Sequence, residues 1–103
     1  MGHDPYTTKR WPQLAGVLDP HGLVASFQPA EDESVDDCID VKLDDGSGQE
    51  LGDIQISSGY CCANAWTDAT HEEMAHGPLR RSVVAAAKDL VGLLEKHNRI
   101  AAR

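Results

Sequence analysis

Residues 78–99 carry the one long helical period in this chain, and that stripe constrains every architecture the rest can build. Leu79, Val83, Ala87, Leu90 and Leu94 recur at steps of three and four, and Val84 and Val91 widen the apolar arc. Arg80, Arg81, Lys88, Glu95 and Lys96 take the opposite side. Pro78 suits a first helical turn, where its missing N–H leaves no bond unmade, and Gly77 lets the chain change direction. A helix with one wet face must cover something, and 103 residues supply one domain's core. The partner has to be a sheet built from the residues before it.

Those residues alternate. Pro12 opens a short helical turn with Leu14, Val17 and Leu18 on one side, closed by Asp19-Pro20-His21-Gly22. A strand is predicted over 23–28, with Leu23, Ala25 and Phe27 inward, and Pro29 ends it. A second is predicted over 35–43, with Ile39, Val41 and Leu43 toward the core and Asp36, Cys38, Asp40 and Lys42 toward water. Asp44-Asp45-Gly46-Ser47-Gly48 is a hairpin turn, because glycine supplies the positive φ that tight turns need. A third strand over 50–57 turns Ile54 and Ile56 inward and Asp53 and Gln55 outward. Ser58-Gly59 leads to a fourth over 60–66, in which Tyr60, Cys62 and Trp66 share a parity. Thr70-His71-Glu72-Glu73 has capping-box spacing and predicts a short helix over 71–76. The expected fold is α+β. It is an antiparallel meander of three to four strands packed by one long C-terminal helix, with short helical turns near the N-terminus and before that helix. It forms a single domain over 1–103 whose first ten residues lack any period and are expected to be loosely structured.

Charge is the most uneven property of the chain. The formal net charge is −8, and residues 31–53 hold ten carboxylates against a single base, Lys42. Bases return near the C-terminus, where they complement a helix dipole. Three cysteines, two of them adjacent, are a poor basis for a disulfide framework, so a reducing compartment is expected. No apolar run reaches the ~20 residues of a membrane-spanning helix, and none follows Lys9-Arg10 as a signal peptide would require. The reading is cytoplasmic, without a membrane partner.

Several constellations have the residue types of a chemical site but not the spacing. Cys61, Cys62, His71 and His76 are zinc-ligand types, yet neighbours on a strand point to opposite faces and histidines five apart on a helix diverge. Cys61 or Cys62 with His71 could form a thiolate–imidazole pair, but no oxyanion loop or orienting Asn accompanies them. Asp40, Asp44, Asp45, Glu50 and Asp53 fail the EF-hand order, since Lys42 and Asp45 stand where a ligand and the invariant Gly belong. The expectation is therefore no catalytic residue, no metal and no cofactor.

The acidic hairpin supports a more specific expectation. Negative charges repeated along a rigid surface are repelled by nucleic acid and attracted to the basic grooves that bind it, with solubilising charge as the plain alternative. In size, acidity and order of elements the whole chain resembles small accessory proteins of phages and mobile elements, among them the anti-CRISPR proteins. That resemblance rests on no motif and carries over no residue's role. It implies a non-enzymatic inhibitor in a bacterial host that occupies the basic channel of a nucleic-acid-binding partner such as a CRISPR effector, without binding nucleic acid directly. The expected contact residues are Asp36, Asp37, Asp40, Asp44, Asp45 and Asp53, with Trp11 and Tyr60 as aromatic anchors. The alternatives are a metal- or redox-responsive protein using Cys61, Cys62 and the nearby histidines, and a subunit of a homodimer or larger homo-oligomer.

Overall fold

The computed structural model describes residues 11–28, 37–44, 46–57 and 59–100, and of Trp11 the backbone alone. The expected turn around Pro12 is a full helix, α1 (Trp11–Leu18), followed by a 3-10 turn (Asp19–His21). Gly22 closes that turn at φ 69°, its N–H donating to the Asp19 carbonyl. Five strands follow: β1 (Leu23–Gln28), β2 (Asp37–Leu43), β3 (Glu50–Ser57), β4 (Tyr60–Trp66) and β5 (Met74–His76). They pair antiparallel in chain order. The second helix, α2 (Val83–Lys96), crosses β3 and β4, and α1 packs beside it against β1.

The α+β meander is therefore the one expected, with one strand more than the alternation showed. Both helices lie on one face of the sheet. Ile39, Val41, Ile54, Ala63 and Ala65 of the strands and Ala86, Ala87, Leu90 and Leu94 of α2 are fully buried between the layers, with Leu14, Leu18 and Leu23 nearly so. The alanines bring helix and sheet close together, and Gly52 makes room for Leu90. No helix of the described residues is long and apolar enough to cross a membrane.

Two boundaries differ from the sequence expectation, for one reason. The predicted helix over 71–76 is absent. The Thr70 hydroxyl and amide both donate to the Asp68 carboxylate, at 2.7 and 3.1 Å, instead of capping a helix, and residues 74–76 add to β4 as the fifth strand. The long helix does not begin at Pro78. Arg80 exchanges two backbone hydrogen bonds with Cys61, so the stretch from Gly77 to Arg80 continues along β4 and leaves Leu79 69% exposed. A bare β4 would leave a row of backbone donors and acceptors unpaired, and pairing them outweighs local helix preference.

The helix proper starts where a cap allows it. Ser82 is extended, and its hydroxyl accepts from the Ala85 amide at 3.0 Å. At the far end Asn98 takes φ 58°, and the Arg99 amide returns to the Leu94 carbonyl. Ser82→Ala should cost about 1 kcal/mol, read as a lower urea midpoint with an unchanged slope. A Ser82→Asp variant that keeps wild-type stability would confirm the cap, whereas equal losses in both would refute it.

Candidate functional site

With both helices on one side, no element among the described residues covers the other, open face of the sheet, and strand alternation decides what it displays. Registers across the four strand pairs place Ser26, Asp40, Asp53, Asn64 and His76 in one transverse row. Gln28, Cys38, Gln55 and Cys62 form the row beside it. The expected outward set of β2 and β3 is thus the observed one for Asp40 and Asp53.

A β-bulge adds a residue that simple alternation assigns to the wrong side. Between Val41 and Lys42 the register shifts, so Val41 faces Gly52 while Lys42 faces Glu50. The extra residue is Leu51, which turns into the core at 1% exposure, and Glu50 is carried to the open face. One carboxylate oxygen from each of Asp40, Glu50 and Asp53 then lies within 4.8 Å of the others. Among the described residues no Lys or Arg forms an ion pair with any of the three.

The electrostatic consequence is mutual. Burial, then the Asp40 and Asp53 charges, raises the Glu50 carboxyl above its ordinary value, with His71 nearby opposing them in part. Asp53 is also raised, first by burial and then by Asp40, against a lowering hydrogen bond from Asn64. Cys38, whose thiol donates to Asp40 at 3.7 Å, is pushed up to about 11 by burial and by the same carboxylates. It is a neutral thiol at physiological pH and a poor nucleophile.

Asp53 also begins a fixed hydrogen-bond chain. The Asn64 Nδ2 donates to Asp53 Oδ1 at 2.8 Å, which aims the Asn64 carbonyl oxygen at His76 Nδ1, 2.6 Å away. The reversed amide would set oxygen against carboxylate, so Asn64 presents its oxygen to His76 and a proton sits on His76 Nδ1. Asn64 is the one buried polar residue among those described, at 7% exposure, and this chain satisfies it. Beside it the open face is hollowed into a groove of about 520 Å³, lined by Cys38, Asp53 and Cys62 on the sheet and by Met74, His76 and Leu79 from β5 and the segment after it.

The remaining expected residues are dispersed. Asp37 has the parity of Ile39 and lies on the helix-bearing side of β2, Asp44 sits exposed in the turn after it, and Tyr60 is 44% exposed at the start of β4 with the Arg81 guanidinium 6.0 Å from its ring centroid. Asp36, Asp45 and the Trp11 side chain fall outside the described residues. Cys61 is buried toward α2 while Cys62 opens onto the groove, so the adjacent pair diverges as strand geometry requires. His71, at φ 58°, stacks on Trp66 at 4.7 Å and places Nε2 3.0 Å from the Glu50 carbonyl, well apart in role from His76.

Chemically, the three carboxylates can receive a positive charge. They are oxygen donors suited to a hard cation, which would need water to complete six or more ligands, or to a guanidinium or ammonium group. Glu50, Asn64 and His76 were not singled out as contact residues from sequence. The available signal for Glu50 was a charged residue and an apolar one, Glu50 and Leu51, standing out of phase with Ile54 and Ile56. No protein-family model matches the chain, and neither the curated proteins nor the solved structures contain a match to it.

Proposed function

We propose that this chain is a non-enzymatic binding protein of the bacterial cytoplasm whose acidic open sheet face occupies a basic, nucleic-acid-binding site on a partner protein, in the manner of an anti-CRISPR inhibitor. The observation that carries the reading is the clustering of Asp40, Glu50 and Asp53, within 4.8 Å of one another, on the face of the sheet away from the helices, with no Lys or Arg among the described residues paired to them. Like charges held together in this way cost stability, and a cost retained at one place in an otherwise consistent fold marks a functional surface. A basic groove would supply the missing counter-charge on association and would be drawn to the net charge of −8 from a distance.

The test is capture from a nuclease-treated bacterial lysate with washes of rising salt, followed by competition of the captured partner against labelled nucleic acid. The expected result is a nucleic-acid-binding complex released by salt and displaced from its nucleic acid by the wild-type chain. Binding that survives conversion of Asp40, Glu50 and Asp53 to amides, or a partner that holds protein and nucleic acid together, would overturn it.

A further inference from the structure

We propose that the groove on the open face is a slot for an arginine side chain of the partner, with the guanidinium on the Asp53 side and the aliphatic stem between Met74 and Leu79. This rests on the reading that the open face is the contact surface, and names what the partner inserts there.

The groove joins two kinds of chemistry. Asp53 belongs to both the groove and the carboxylate group, so the negative potential of Asp40 and Glu50 is delivered to one end of the hollow. At the β5 side of the groove Met74 and Leu79 stand on either side of His76, and Leu79, at 69%, is the most exposed of the exposed large hydrophobic residues described. Exposed apolar side chains lining the same groove as a carboxylate suit a ligand with an apolar stem and a cationic head. A purely hydrated cation would gain nothing from Met74 and Leu79, and an apolar segment would bury the Asp53 charge without supplying a counter-charge.

Arginine fits this better than lysine. Its planar fork can engage two carboxylates at once and is weakly hydrated, whereas an ammonium is a compact point charge that must shed a tighter water shell. The acceptors are also held still: Asn64 fixes Asp53, and His76 fixes Asn64. Preorganised acceptors lose little freedom on binding. A second copy of this chain is a poor occupant, because a two-fold contact centred on this face would set the carboxylate group against itself.

The experiment is a titration of the full chain, followed by amide chemical shifts, with blocked Gly-Arg-Gly, Gly-Lys-Gly and Gly-citrulline-Gly peptides, and separately with Ca²⁺. The expected result is saturable shifts at Gln55, Cys62, Asn64 and His76 with the arginine peptide, a Kd roughly fivefold or more below that of the lysine peptide, and none with the uncharged citrulline isostere. Asp53→Asn should abolish the shifts, and Leu79→Ala, at an exposed position that cannot unfold the domain, should weaken arginine binding severalfold. Glu72→Gln, on an exposed loop away from the groove, should leave it unchanged. Equal affinity for lysine, insensitivity to both variants, or Ca²⁺ saturating the same amides with no arginine preference would each overturn the slot. Concentration-dependent shifts without peptide would instead assign the face to self-association and overturn it as well. Loss of the arginine response with salt-sensitive capture of a partner intact would remove the slot and leave the acidic-surface reading standing. The converse result would remove the occlusion reading alone.

Discussion

Gly52→Ala is expected to lower the melting temperature by about 10 °C or more, a large response to one methyl group. A Cβ at this position would collide with the Asn64 carbonyl oxygen and stand 3.0 Å from Leu90 Cδ1 and 3.1 Å from Ala65 Cα. Two of those three atoms are backbone of β4, the strand to which Gly52 is paired through Ala65. They cannot rotate away, so β3 and β4 must shift apart at the centre of the sheet, costing roughly 3 kcal/mol. Leu90→Ala alone should cost about 2–5 kcal/mol, because Leu90 is fully buried where α2 meets the sheet. The informative variant is the double one. If backbone contact dominates, emptying the Leu90 site will not rescue Gly52→Ala, and the two losses will add in urea denaturation. Stability of the double variant equal to that of Leu90→Ala would show that the side-chain clash, and not the strand spacing, requires glycine here.

The second large effect joins stability to binding in opposite directions. Asp53→Asn with Glu50→Gln is expected to strengthen the fold at pH 7 while weakening partner association tenfold or more. Both carboxyls titrate above their ordinary values in the folded chain, so folding favours their protonated forms. Their stabilising contribution is complete below the ordinary Asp and Glu values and is lost as pH rises through the folded values. The amide variant, unable to ionise, escapes that loss, and Asn at position 53 keeps an oxygen to accept from Asn64. Solvent screening limits the gain to about 1 kcal/mol at neutral pH. Urea midpoints measured from acid to neutral pH should show variant and wild type converging on the acid side and separating as the carboxyls ionise. A gap independent of pH would locate the effect in packing instead of charge, and a variant that binds as well as the wild type would separate the carboxylates from function.

Much of the fold was legible because its signals are local. Strands β1, β2 and β4, and β3 beyond its bulge, follow the alternation of their own side chains, the turn at Asp19–His21 follows its proline and the glycine after it, and the core stripe of α2 follows its helical period. The start of α2 lies later than the helical period alone predicts, because Leu79 has the right period for a helix but its segment is held to β4 by the Arg80–Cys61 backbone pair. Thr70 caps no helix for a similar reason: the residues that would form it, 74–76, pair with β4.

What the sequence determined by itself is therefore most of the elements and their polarity: a meander with Asp40 and Asp53 on its outward parity, a helix to cover the inward one, and a strongly negative chain. Those follow from spacing within a few residues, where backbone geometry alone sets which side chains share a face. Only the tertiary structure decided that β4 recruits a fifth strand, that a bulge swaps Glu50 for Leu51, and that Asp40, Glu50, Asp53, Asn64 and His76 meet on the face away from the helices. These depend on pairing between strands far apart in the chain, where unsatisfied backbone groups and burial of one leucine outweigh local preference.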